Sequence, residues 1–70
     1  MMNHEVRTYN ANGKNIYTES FKTAEEAYVA YLQIIDYHEN KMPKELAGRK
    51  LVVARFADGR MMTRRECVSK

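Results

Sequence analysis

Residues 23–41, TAEEAYVAYLQIIDYHENK, are the stretch of this 70-residue chain that carries sustained helical periodicity. Thr23 is a natural N-cap, and Glu26 three residues later completes a capping box. Glu25 and Glu26 also suit the positive end of a helix dipole. At about 100° per residue, Ala24, Ala27, Tyr28, Tyr31, Ile34, Ile35 and His38 fall on one broad face, with Leu32 at its edge. The opposite side presents Glu25, Glu26, Val29, Gln33, Asp36, Tyr37 and Asn40. Pro43 ends the pattern near Met42, because proline disfavours helical backbone at the residue before it. One helix of this strength, with strand patterns on both sides of it, restricts the fold to an α+β arrangement.

Residues 4–21, HEVRTYNANGKNIYTESF, read as two strands around a turn. Asn12 and Gly13 tolerate positive φ, which suits a tight turn at those two residues, and NANGK also suits a type I turn followed by a glycine bulge. That turn groups Val6, Thr8, Ile16 and Thr18 on one face, and Arg7, Tyr9, Tyr17, Glu19 and Phe21 on the other. After the helix, PKELAG suggests a short helical turn released by Gly48. RKLVVARF and RMMTRRECV then pair across ADGR. A two-residue turn at Asp58 and Gly59 sets Val52, Ala54, Phe56, Met61 and Thr63 on one face. It sets Leu51, Val53, Arg55, Met62 and Arg64 on the other, so one of the adjacent methionines belongs to the core, whereas a bulged turn would instead regroup Met62 with Phe56. The expected domain, residues 1–70, is β-β-α-β-β: two antiparallel hairpins in a four-stranded sheet, with one amphipathic helix on one face.

A core of this size is marginal. Below about 80 residues, burial rarely leaves more than about 3–5 kcal/mol of net stability, which makes a homodimer a natural expectation. Cys67 is the single cysteine, so no internal disulfide framework exists. The chain has no apolar run of about 20 residues and no signal-peptide core at its amino terminus. A cytoplasmic protein without membrane association is expected. Charge is distributed unevenly: residues 1–40 carry three cations against six anions, and residues 41–70 carry nine against three.

That asymmetry directs attention to the second hairpin. Arg55, Arg60, Arg64 and Arg65, flanked by Lys50, are candidates for contacts with nucleic acid or another acidic surface. Two-stranded ribbons enter the major groove, and arginine suits both phosphate and guanine edges. Arg49 and Lys70 would add charge, whereas charged strands also serve to keep a sheet edge soluble. Phe56 is the one aromatic residue beyond Tyr37, so a stacking platform for single strands would need Tyr9 and Tyr17 beside the arginines. Met61, Met62 and Tyr37 are candidates for a protein interface, since adaptable or aromatic side chains anchor such contacts. The acidic helix residues Glu25, Glu26, Asp36 and Glu39 suit a solvated face or a basic partner.

The chemistry of catalysis is poorly represented. No spacing brings Cys67 together with His4 or His38 as nucleophile and base. One cysteine and two distant histidines do not make a zinc set, and three glycines form no phosphate loop. No metal and no cofactor are expected.

Residues 16–31, IYTESFKTAEEAYVAY, resemble the last strand and helix start of plant ethylene-response-factor DNA-binding domains. The shared positions are Phe21, Thr23, Glu25, Glu26, Ala27, Ala30 and Tyr31. Those domains place three strands before their helix and a leucine-glycine pair where this chain has Glu19 and Ser20. The shared part amounts to a capping box and an alanine-rich helix face, and no function is carried over from it. The expected function is a small non-catalytic binding or regulatory protein whose basic hairpin docks on nucleic acid or another acidic surface. The alternative is a protein-interaction module, an inhibitor or adaptor of the kind phages and mobile elements encode. It would act through an open sheet face or the acidic helix.

Overall fold

The computed structural model describes residues 3–41 and 48–68. Its elements are β1 (His4–Tyr9), β2 (Asn15–Phe21), α1 (Ala24–Asp36), β3 (Lys50–Ala57) and β4 (Arg60–Val68). The strands form one antiparallel sheet in the order β2-β1-β3-β4, and the helix covers one face, as the β-β-α-β-β pattern requires. β1 therefore lies between β2 and β3, and α1 passes over it to connect them. Of the expected turn at PKELAG, residues 43–47 lie outside the described residues. Gly48 has the positive φ of +85° suited to releasing a turn. No helix among the described residues is long and apolar enough to cross a membrane.

Each hairpin turn takes one of the two forms open to it. Asn10 N–H donates to the Lys14 carbonyl and Gly13 N–H to the Asn10 carbonyl, with Gly13 at φ +84°. Asp58 and Gly59 both have positive φ, the signature of a type I′ turn. The Asp58 N–H donates to the Asn3 carbonyl at 2.8 Å, and Asp58 Oδ1 accepts from the Asn3 N–H at 3.0 Å. These two bonds join the start of β1 to the second hairpin.

The faces differ from expectation because each edge strand carries a bulge close to its turn. In β2, Thr8 opposes Tyr17 and Tyr9 opposes Asn15, leaving Ile16 as an extra residue. In β4, Arg55 opposes Thr63 and Phe56 opposes Met61, leaving Met62 as the extra residue. An added residue inverts every side chain beyond it. Tyr17, Glu19 and Phe21 consequently share the helix-covered face with His4, Val6 and Thr8, and Thr18 moves to the other side. On β4, Thr63 joins Val53 and Arg55 beneath the helix, and Arg64 joins Ala54 and Phe56 on the opposite face. The expected grouping of Arg55 with Arg64 does not hold.

The core lies between α1 and the central strands. It consists of Val6, Ala27, Tyr31, Ile35, Val53 and Cys67, with Phe21, Ala30 and Ile34 packed at its margin. The buried helix stripe is narrower than its apolar pattern, since Ala24, Tyr28 and Leu32 are exposed. After Asp36 the helix widens into a π turn, Tyr37–Lys41, where one face of the continuous helix was expected to run on. His38 remains buried in that turn, and its Nε2 donates to the Arg49 carbonyl at 2.9 Å.

At the other end of α1, Thr23 is extended, and its Oγ1 accepts from Glu26 N–H at 3.1 Å. The Glu26 carboxylate meets that hydroxyl at 3.2 Å, so the reciprocal arm of the capping box closes on the side chain. Thr23→Ala should lower stability by about 1 kcal/mol, read as an earlier urea midpoint with unchanged slope. An unaltered midpoint would mean that the cap contributes nothing.

Candidate interaction surfaces

Strand alternation decides where the basic hairpin points. Consecutive residues face opposite ways, so Arg64 and Arg65 cannot share a surface. Arg65 lies on the helix side, with Nη2 at 3.3 Å from Glu39 Oε2. Arg55 is on the same side, its guanidinium 5.7 Å from the Tyr28 ring centre. Lys50 and Arg64 occupy the opposite face, where Lys50 Nζ lies 2.8 Å from Glu66 Oε1. That contact holds the Glu66 carboxyl below its usual pKa, with a smaller contribution from Arg64. Arg60 stands beside the turn, opposite Ala57. The five candidate cations are thus divided between two faces, and Lys50, Arg55 and Arg65 already engage groups of their own chain.

The uncovered sheet face is closed by its own side chains. Arg7 donates to Glu5 Oε1 through Nε at 3.0 Å and Nη2 at 2.6 Å, and its guanidinium lies 4.2 Å from the Phe56 ring centre. Phe56 and Ala54 are buried there although no helix among the described residues covers them. An arginine stem laid along apolar surface, with its head in water, accomplishes this. Tyr9 is on this face but Tyr17 is on the other, so the two do not combine into a stacking platform.

Neither methionine enters the core. Met61 is 48% exposed on the uncovered face, and Met62 is 52% exposed in its bulge, beside Ala57, Asp58 and Arg60. The expectation that one of the pair would be buried fails because the bulge relieves strict alternation at that point. Cys67 is a core residue, and burial pushes its thiol pKa up, reinforced by Glu39 and opposed by Arg65. A buried protonated thiol is a poor nucleophile. His38 is occupied with the Arg49 carbonyl, and His4 is buried on β1.

One set of side chains that does converge lies along the flank where α1 borders β2. A groove of about 460 Å³ runs there, floored by Ala30 and Ile34 and rimmed by Tyr17, Glu19, Asp36 and Tyr37. Tyr17 is 50% exposed and Tyr37 is 54% exposed. The Tyr17 hydroxyl donates to Glu19 Oε1 at 3.2 Å, and that bond raises the phenol pKa. Asp36 is held by Asn40 at 2.9 Å and by Lys41 at 3.3 Å, which together lower its pKa. Of these, the sequence marks Tyr37 as an interface candidate and Asp36 as part of the acidic helix face, but it does not place them with Tyr17 and Glu19. Tyr17 and Glu19 were assigned to the wrong side of β1, and nothing local marks the bulge at Ile16 that moves them.

Comparison of the chain with protein-family models, with curated proteins and with solved structures finds no match.

Proposed function

We propose that the protein is a cytoplasmic, non-catalytic protein-binding module that acts through the α1–β2 flank. The observation that carries this reading is the groove at that flank, where two half-exposed tyrosines rim an apolar floor. Exposed aromatic groups around a small apolar depression are what interface anchors require. The dispersal of Lys50, Arg55, Arg60, Arg64 and Arg65 favours this reading over docking of the basic hairpin on nucleic acid. Their engagement with Glu66, Tyr28 and Glu39 reduces the charge left for phosphates. Arg60 and Arg64 still support some attraction to an acidic surface, which is long-ranged and non-specific.

The test is affinity capture from nuclease-treated lysate of the source cells, with chemical cross-linking. A stoichiometric protein partner should survive nuclease, should be retained by the triple variant Arg60→Glu, Arg64→Glu, Arg65→Glu, and should be lost from Tyr37→Glu. In parallel, fluorescence polarisation with DNA and RNA should show only weak binding at about 50 mM salt. Tight binding that falls by a factor of about 10³ or more by 200 mM salt would overturn the proposal in favour of the basic hairpin.

A further inference from the structure

Among the described residues β2 is an outer strand of the sheet, and the backbone groups it does not use in pairing with β1 can be identified. Asn10 N–H bonds across to the Lys14 carbonyl, whereas the Asn3 carbonyl accepts from Asp58 N–H. Even-numbered residues of β1 therefore direct their backbone groups toward β2, and odd-numbered ones toward β3. His4 and Val6 bond to their partners Phe21 and Glu19. Thr18 and Ser20, opposite Arg7 and Glu5, consequently present N–H and C=O outward.

Edge strands are ordinarily protected from further pairing by bulges, prolines or lysines. β4 is protected by three arginines along its length, Arg60, Arg64 and Arg65, although its bulge at Met62 also lies near the turn. β2 has its bulge at Ile16, next to the turn, which leaves Tyr17–Phe21 regular and without a basic residue or proline. A strand added beside Thr18 and Ser20 would place alternate side chains over the Ala30 and Ile34 floor. Glu19 stands at the middle of this edge on the same face. Among the described residues it has no cationic partner, and Tyr17 alone bonds to it.

A second copy of β2 fits poorly. Matching Thr18 of one copy with Ser20 of the other brings the two Glu19 carboxylates directly opposite each other, a destabilising arrangement. Moving the pairing one way sets Ser20 against the bulge at Ile16, and moving it the other way runs beyond Phe21, where β2 ends. The carboxylate instead suits a strand with a cation at that position.

Resting on the protein-binding reading above, we infer that the β2 edge accepts an extended segment of a partner protein as a fifth strand. The segment carries an arginine or lysine opposite Glu19, and apolar side chains on either side of it enter the α1–β2 groove. Thr18 and Ser20 supply the backbone bonds, and Glu19 supplies the selectivity.

The probes are two nine-residue synthetic peptides of alternating valine and threonine, one with a central arginine and one with a central glutamate. Titration into the ¹⁵N-labelled full chain should shift amide signals of Tyr17–Phe21, Ala30 and Ile34. The arginine peptide should bind at least fivefold more tightly than the glutamate peptide. Glu19→Lys should reverse that preference. Ser20→Pro removes an outward N–H without breaking a bond to β1, so it should stay folded by circular dichroism and lose binding about tenfold or more.

Equal affinity for both peptides, undiminished binding to folded Ser20→Pro, or shifts confined to β4 would overturn the inference. So would the absence of any shift at about 1 mM peptide, or a molecular mass showing that β2 is covered by another copy of the chain. If the peptides fail while a captured protein still depends on Tyr37, the strand-addition site falls and the protein-binding reading stands. If no captured protein depends on Tyr37 either, both fall.

Discussion

Replacing Tyr31 by alanine should leave the chain largely unfolded in water at room temperature. Tyr31 is 5% exposed and belongs to the continuous core of the described residues, with Ala27 and Ile35 of α1 and the sheet residues Val6, Val53 and Cys67. Its ring also stacks on Tyr28, with centroids 6.3 Å apart. Removing a buried aromatic ring costs about 3–5 kcal/mol, from lost transfer energy and from the cavity left behind. A single domain of this length has about the same amount of stability available. The measurement is urea denaturation followed by far-ultraviolet circular dichroism. Wild type should show one cooperative transition, and Tyr31→Ala should show none. Tyr31→Phe keeps the ring and should lie within about 1 kcal/mol of wild type. A cooperative Tyr31→Ala transition near the wild-type midpoint would mean that α1 against the sheet is not the principal core.

That core was legible in outline because its determinants are local. The cap at Thr23, the stripe through Ala27, Tyr31 and Ile35, and the positive-φ turns at Gly13 and at Asp58 and Gly59 each follow from a few neighbouring residues. The strand order was not legible. It depends on β1 pairing with β3 across the whole intervening helix, and no local signal encodes that pairing. The two bulges escaped for a different reason. Ile16 and Met62 are ordinary strand residues by propensity, and each acts as a bulge only because of the register that the partner strand imposes.

The consequences for the candidate surfaces are large because strand side chains alternate with a period of two. One extra residue in β4 carries Arg64 away from Arg55 and joins it to Ala54. One extra residue in β2 carries Tyr17 and Glu19 to the helix side, where they meet Tyr37 across the groove. Charge counted along the sequence therefore overstated the unity of the basic hairpin. The same count gave no indication of the α1–β2 flank, whose residues come from β2, α1 and the π turn and carry little net charge.

The π turn that presents Tyr37 to this flank depends on His38, and His38→Ala should cost about 2–4 kcal/mol. The imidazole is 2% exposed, and its Nε2 lies 2.9 Å from the Arg49 carbonyl. A carbonyl only accepts, so Nε2 carries the proton, and Nδ1 has no hydrogen-bond partner among the described residues. Alanine removes both the buried ring and the donor that links the end of the helix to the start of β3. Glutamine can bring an amide N–H to nearly the position of Nε2, whereas the asparagine amide reaches only as far as Nδ1. His38→Gln should therefore recover part of the loss in urea denaturation, and His38→Asn should recover less. Equal midpoints for the alanine, glutamine and asparagine variants would assign the whole effect to packing and none to the bond. A His38→Ala protein as stable as wild type would remove the tether altogether. Because Tyr37 precedes this anchor directly, the ¹⁵N signal of Tyr37 should broaden or shift in His38→Ala even where the sheet signals do not. The arginine peptide should then bind more weakly to the variant. The shape of the groove would in that case be set by a buried histidine that itself touches no partner.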